Sequence, residues 1–532
     1  LEEEHILLLV DGIKLNTLSG NNIISHDIPV QIIRRIEIIK GPATAVWGSS
    51  LGGVINIITR STHTKDVTSG LISGMYGEGD SQDFRTEINT SSGPLGYYLY
   101  AGRQKTDGVG LDRFMENEVF YGKVNLDLSA DTRIGATLGD TDPSNSYGKL
   151  YSADIDVVDH DERTFATTYF DTAITHNLNL HLAGQYMKAD YHSGYTYLGL
   201  NPPTSAGELQ FANRWQEELQ AGEMQLVWNT DLQTMVFGAE ISRGQLDFTE
   251  NYGPYWQTFG YPAEAKSIAL EEKRGVFIND TVKLDSLTII GGLRYDYHSI
   301  SDEFISPSLG LTWNLGGHTL FRLAGARGFT YPPLSFIGGG GRFSVPNPNL
   351  DPERIWSVQA GVETAIFKVF NLKTSLFHHK VDQKWEFDNN NLMTVNTETD
   401  QRDGFEIGLE TASFHNLVLN LDFAYYYARY AGSDDNDESY KTIIKLNYDD
   451  NRLLRAQLFG NYHWFTDEQT NEPHETSNIV WDFTFGITPY RGEDLALELF
   501  GSVHNIFNSA YYWDYEYPDA GRWVEAGLKV HF

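Results

Sequence analysis

The sequence predicts an all-β transmembrane barrel of about 22 antiparallel strands, with a small α+β plug segment in its lumen. Three observations predict it. From residue 67 onward apolar and polar residues alternate, as in Leu417-Val418-Leu419-Asn420-Leu421-Asp422-Phe423 and Leu178-Asn179-Leu180-His181-Leu182. Such alternation means strands with one apolar and one polar face, in a soluble sandwich or in a barrel. Tight turns at one end and long connections at the other favour the barrel. The composition, with 50 Gly, 30 Tyr, 29 Phe and only 6 Met, suits many strands and turns rather than a helical enzyme.

The first 66 residues read differently. Ile6-Leu7-Leu8-Leu9-Val10 is a continuous apolar run stopped by Asp11-Gly12, the pattern of a strand buried on both faces. Ile28-Pro29 opens a short helical stretch over 30–34, and Ile36-Glu37-Ile38-Ile39 is a second strand ended by Lys40-Gly41-Pro42. Val54-Ile55-Asn56-Ile57-Ile58-Thr59 follows Gly52-Gly53. This unit, residues 1–66, is too small to be comfortable alone, and a barrel lumen would support it on all sides.

Residues 67–532 supply the wall. Turn signals fall at Ser92-Gly93-Pro94, Ser129-Ala130-Asp131, Asn229-Thr230-Asp231, Asp285-Ser286, Gly316-Gly317, Asp449-Asp450-Asn451 and Arg491-Gly492-Glu493. The longer connections are expected at 143–160, 192–212, 248–269, 329–352, 466–475 and 508–520. Tyr97-Tyr98, Tyr425-Tyr426-Tyr427 and Tyr462-His463-Trp464 near strand ends suit interfacial girdles. The last strand ends on Phe532, as a strand that must close the sheet would.

Composition excludes other classes. Acidic residues number 72 against 39 basic ones, a net charge of -33, which argues against a nucleic-acid partner. The absence of Cys removes disulfides, thiolate metal sites and Cys nucleophiles. No run of about 18 apolar residues announces a membrane helix, and a barrel needs none. No signal peptide is visible before Leu1, so the start reads as processed or incomplete. No nucleophile-elbow sequence stands out and no catalytic residue or cofactor is assigned; the expectation is that the protein is not an enzyme.

An ordered set of motifs carries a resemblance. Val10-Asp11-Gly12, the stretch from Arg35-Ile36-Glu37 to Gly41-Pro42, and Gly52-Gly53-Val54 to Thr59-Arg60 resemble the plug of TonB-dependent outer-membrane receptors. Gly291-Gly292-Leu293-Arg294-Tyr295-Asp296, Asn347-Pro348-Asn349-Leu350-Asp351-Pro352-Glu353 and Asn505-Ile506-Phe507-Asn508 resemble that family's barrel motifs, in the family's order. The family's energy-coupling box and the first half of its plug precede the Asp-Gly motif and are not seen here. The resemblance implies a bacterial outer-membrane location, contact with outer-membrane lipid, a TonB-type inner-membrane partner, and a scarce small-molecule metal complex as cargo. A ferric siderophore is the first choice. Cobalamin is the second. Haem is disfavoured because 329–347 contains no His. A passive porin-like channel is the alternative of another class.

Candidate site residues follow. The resemblance places residues 16–22 at the outward apex of the plug, where Thr17, Ser19, Asn21 and Asn22 could bind cargo or form a plain polar turn. Tyr252, Tyr255 and Trp256 belong to an aromatic loop that could stack on a planar ligand or pack on itself, with Tyr195 and Tyr197 a weaker case. Phe336, Arg342 and Phe343 flank four glycines at 338–341, the composition of a lid. Arg35, Glu37 and Lys40 are expected to latch the plug to wall carboxylates such as Glu406 or Glu410. No metal site is assigned. The acidic run Asp434-Asp435-Asn436-Asp437-Glu438 could bind Ca²⁺ through its oxygens, but it lacks the spacing of an EF-hand loop and reads first as a solvated loop; adjacent His378 and His379 would point to opposite faces of a strand.

Overall fold

The computed structural model describes residues 3–24, 28–62, 67–109, 113–341, 344–397, 399–430, 436–466, 473–475, 479–509, 512–514, 517–518 and 520–532. Twenty-two long antiparallel strands close into a barrel, each paired with its sequence neighbours. The last strand, Trp523–His531, pairs with the first barrel strand, Thr68–Gly77, with Leu528 opposite Gly74. That pairing leaves no open edge, and closure is what a strand in hydrocarbon requires.

The lumen holds a four-stranded sheet. Its strands are β1 (Ile6–Val10), β2 (Ile13–Lys14), β3 (Ile33–Lys40) and β4 (Gly53–Thr59), in the order β2-β1-β4-β3. β1 runs parallel to β4, and its apolar run is buried on both faces. Leu8 and Val10 join one cluster with Leu15, Leu18 and Ile57, while Leu7 and Leu9 pack with Val54 on the other side. The helical stretch expected at 30–34 is a single turn, Val30–Ile32, because β3 begins at Ile33 to pair with Thr59. A four-residue helix, α1 (Thr44–Trp47), connects β3 to β4.

Three of the outer connections are shorter than the sequence suggested, while the one expected at 329–352 spans 331–352. Strands Thr132–Leu150 and Ile155–Thr175 leave four residues, 151–154, where a connection over 143–160 was expected. Likewise Leu178–Tyr197, Leu209–Asn229, Gln233–Tyr252 and Glu264–Leu284 reduce 192–212 and 248–269 to connections over 198–208 and 253–263. A bilayer needs only about 9–11 residues per tilted strand, so these hairpins keep pairing well above the lipid. Turn-type residues such as Pro143, Asn145, Ser193 and Gly194 are held in these paired stretches and read as loop, although Ile155, Val157 and Tyr197 form a buried apolar cluster there.

The girdle reading divides. Tyr425, Tyr440 and Trp464 lie side by side on three adjacent strands, with Tyr440 stacked on Trp464 at 4.7 Å. Tyr98 instead points into the lumen, buried, and its hydroxyl donates to Glu87 at 2.6 Å. His378 is exposed and hydrogen-bonded to Asp403 at 2.7 Å, while His379 is buried on the other face.

Candidate functional site at the plug apex

The apex is a closed loop built on β1. Asn16 locks its base: its Oδ1 accepts Leu8 N–H, and its Nδ2 donates to the Ile6 and Asn21 carbonyls, all at 2.8 Å. Thr17 is buried, and its hydroxyl accepts Gly20 N–H at 3.2 Å and Asn22 N–H at 3.0 Å. Thr17 is therefore an internal turn residue rather than a free donor toward cargo. Of the four apex residues, only Asn22 is fully exposed.

Two elements from far along the chain grip this loop. The carboxylate of Glu217, on the wall strand Leu209–Asn229 and buried, accepts Leu18 N–H and Ser19 N–H, each at 2.8 Å. A short helix, α2 (Leu334–Ile337), opens the outer connection 331–352 and leans inward. Its Leu334 N–H donates to the Leu18 carbonyl at 2.8 Å, and Ser335 donates through both N–H and Oγ to the Ser19 carbonyl. Asn21 Nδ2 donates to the Tyr331 carbonyl at 3.0 Å. Burial pushes the Tyr331 phenol well above its ordinary range, so that ring stays neutral. Plug apex and outer connection thus form one hydrogen-bonded unit.

Phe336 stands edge-on to Trp385, with ring centroids 6.2 Å apart. Trp385 is pinned by its Nε1–H to the Asp351 carbonyl at 2.8 Å and by its backbone N–H to Glu353 at 2.7 Å. Arg342 and Phe343, the other two lid residues, lie outside the described residues, as do Asp434 and Asp435 of the acidic run. Asp437 and Glu438 fall in the strand Asn436–Asp449, where Tyr430 and Tyr425 donate to them.

The aromatic loop packs on itself. Tyr252 is buried at a strand end with its hydroxyl on Glu250. Tyr255 and Trp256 sit on a single helical turn, Pro254–Gln257, and their rings meet each other, Phe259 and Tyr261 edge-on. Tyr195 stacks on Phe211 at 4.2 Å, and Tyr197 meets Tyr255. The ring contacts thus join the ends of neighbouring wall strands, with Phe259 left exposed at the edge of the row.

The latch differs from expectation in most members. Lys40 does pair with Glu406, which also accepts from Ser375. Arg35 and Glu37 instead pair with each other at 2.8 Å, two residues apart on one strand face, and Asn56 also donates to Glu37. Glu410 accepts from Asn420 on the neighbouring strand. The stronger ties were not foreseen. Lys123 Nζ lies 2.6 Å from Asp11, whose carboxylate also accepts from Thr59 and Tyr121. Lys14 and the buried Arg294 meet at Glu240. Arg163, buried, donates to the Leu15 carbonyl at 2.9 Å, and His5 pairs with Glu353. The one available signal was Asp11 at the end of an apolar run, which demanded a partner without naming it.

Comparison with known proteins agrees with this architecture. Residues 76–524 match the model of the TonB-dependent receptor-like β-barrel, and residues 1–54 match that of the TonB-dependent receptor plug domain. The chain is 24% identical to a vitamin B12 transporter, BtuB, of Vibrio vulnificus, over 99% of this chain and 84% of that protein. Among solved structures it resembles the siderophore receptor PirA of Acinetobacter baumannii (17% identity, TM-score 0.77, 99% and 91% of the two chains). It also resembles the copper transporter OprC (15% identity, TM-score 0.80, 99% and 90%). With a closed barrel, a sheet in its lumen and both family models matched, the chain belongs to the TonB-dependent receptors of the bacterial outer membrane.

Proposed function

We propose that the protein imports a metal chelate, a ferric siderophore in the first instance, which binds above the plug apex and enters when a TonB-type partner moves the plug. The observation that carries this reading is the joint between residues 18–21 of the apex and residues 331–335 of the outer connection. Cargo that lands on either element bears on both, so binding outside and rearrangement of the plug share one set of hydrogen bonds. Exposed Asn22 supplies neutral polar groups, and the half-buried Phe336, backed by the buried Trp385, supplies a ring. A chelate whose charge is turned inward to its metal suits such a mixed, uncharged surface. The role is transport without catalysis.

Cobalamin is the second reading, supported by the sequence similarity to a vitamin B12 transporter. A passive pore finds no support, since the plug sheet occupies the lumen. The test is tryptophan-fluorescence titration of the purified receptor with ferric catecholate and hydroxamate siderophores and with cyanocobalamin, alongside uptake in cells with and without TonB. Saturable binding of one ferric siderophore with TonB-dependent uptake is expected. Binding of cyanocobalamin alone would select the second reading, and TonB-independent uptake of every probe would overturn both.

A further inference from the structure

The outer wall of the barrel carries an apolar groove of about 520 Å³ near the end bearing the tight turns. Register explains it. Leu311, Leu323, Ala360 and Leu376 lie in one row across four adjacent strands. Ala360 thus stands where its neighbours on both sides carry leucine. In the next row toward the turns, Trp313 and Phe321 meet with ring centroids 6.3 Å apart and wall the groove. A small residue between large ones leaves a slot in the lipid-facing surface.

The turn below this slot is unusual. Strands Glu353–Ile366 and Phe370–Asp382 are joined through Phe367 and Lys368, which adopt φ of +53° and +57°. Left-handed backbone at two successive residues favours Asn-Gly, and a bulky residue there is strained. Phe367 is 88% exposed beside Lys368, on the turn below the apolar row. The adjacent turn contributes exposed His318, whose carbonyl accepts Ala365 N–H at 3.0 Å. From Lys368 up to Val362 and Ala360 is six to eight residues, or about 14–19 Å of depth for a strand tilted near 45°. Half of a bilayer's hydrocarbon core is about 15 Å.

We propose that this groove binds one acyl chain of a glycerophospholipid of the periplasmic leaflet, with the lipid phosphate held at Lys368 and His318. The short turns of an outer-membrane barrel face the periplasm, which sets the leaflet. The groove is continuous with the lipid-facing wall, and a cation at headgroup depth complements a phosphate. Ordinary annular lipid would exchange freely, whereas a chain seated in a slot and tethered by its phosphate stays through detergent extraction.

The experiment is native mass spectrometry of the full-length receptor in detergent after incubation with phosphatidylglycerol or, separately, phosphatidylethanolamine. The wild type is expected to retain one phospholipid. Ala360→Leu, which fills the slot, and Lys368→Glu, which reverses the charge, should each lower the bound fraction at least about fivefold. Ala136→Leu, on the lipid face of another strand, should not. Heat-modifiable gel mobility verifies folding, and Lys368 lies on an exposed turn outside the strand pairing. Equal retention by wild type and both variants overturns the site. So does a wild type that retains no lipid, or a dimer that Ala360→Leu dissociates without any change in lipid.

Discussion

Lys123 Nζ and the Asp11 carboxylate lie 2.6 Å apart across 112 residues of sequence, joining the plug's Asp-Gly turn to the inner face of the wall. Thr59 donates to the same carboxylate from the neighbouring plug strand, through N–H at 2.9 Å and Oγ at 2.6 Å. One carboxylate therefore ties together β1, β4 and the barrel. Losing one partner of such a pair leaves a largely desolvated charge, at a cost of about 3 kcal/mol. Lys123→Met should lower the plug's resistance to urea, seen as earlier opening of conductance in planar bilayers, while the barrel keeps its heat-modifiable mobility. A variant as closed as the wild type at every urea concentration refutes the tie.

Glu217 is the second target. Its carboxylate satisfies two backbone N–H groups of the apex, and each buried orphan donor costs about 1–3 kcal/mol. Glu217→Ala should speed hydrogen exchange at Leu18 and Ser19 by at least about tenfold. Glu217→Gln, which can still accept one bond, should fall between. Unchanged exchange in the alanine variant would mean that the apex is held without this residue.

The Phe336–Trp385 contact is expected to report on cargo. Phe336→Ala removes the ring edge over the indole, so the Trp385 contribution to emission should shift, and affinity for the bound siderophore should fall about tenfold. Equal affinity in wild type and variant places the cargo elsewhere in the vestibule.

Alkaline pH tests the burial of Tyr331. Its phenol is raised in the folded protein, so its stabilising contribution is fully present below the ordinary tyrosine value of about 10 and is lost as pH climbs past it, because only the unfolded chain ionises there. Tyr331→Phe should remove up to about 1.4 kcal/mol per pH unit of that loss. Parallel stability curves for wild type and variant between about pH 10 and 12 would contradict the burial.

Gly53 tests the plug fold. Its φ is +137°, and a Cβ there would come within 2.4 Å of the Ile39 carbonyl oxygen. Gly53→Ala should therefore separate β3 from β4 at Lys40, and limited proteolysis should cut the plug while the barrel stays intact. A protease-resistant variant would show that the sheet absorbs the clash.

Alternation and turn residues made the barrel, its approximate strand number and its plug readable from the chain. Leu417 to Phe423 declares a strand with one lipid face by itself, and Asp285-Ser286 declares the turn, because side-chain period and backbone freedom are local properties. The buried run Leu7 to Val10 likewise announced a strand covered on both sides. The upper hairpins extend past the expected strand ends because turn-type residues such as Pro143, Asn145 and Gly194 are held in strand pairing there. Tyr252, Tyr255 and Trp256 read as rings on an exposed loop, yet Tyr252 is buried against Tyr261, and Trp256 meets both Tyr255 and Tyr261 once the hairpins rise.

The pairing of inward polar groups was a different matter. Asp11 required a cation and Glu217 required donors, but neither residue says which. Lys123 meets Asp11, and Leu18 and Ser19 meet Glu217, only after every strand has taken its register and the wall has closed around the sheet. A one-residue slip in any strand turns its inward row toward lipid. Faces are therefore written residue by residue along the chain, whereas partners across the lumen are set by accumulated stagger and closure, which no single stretch of sequence contains.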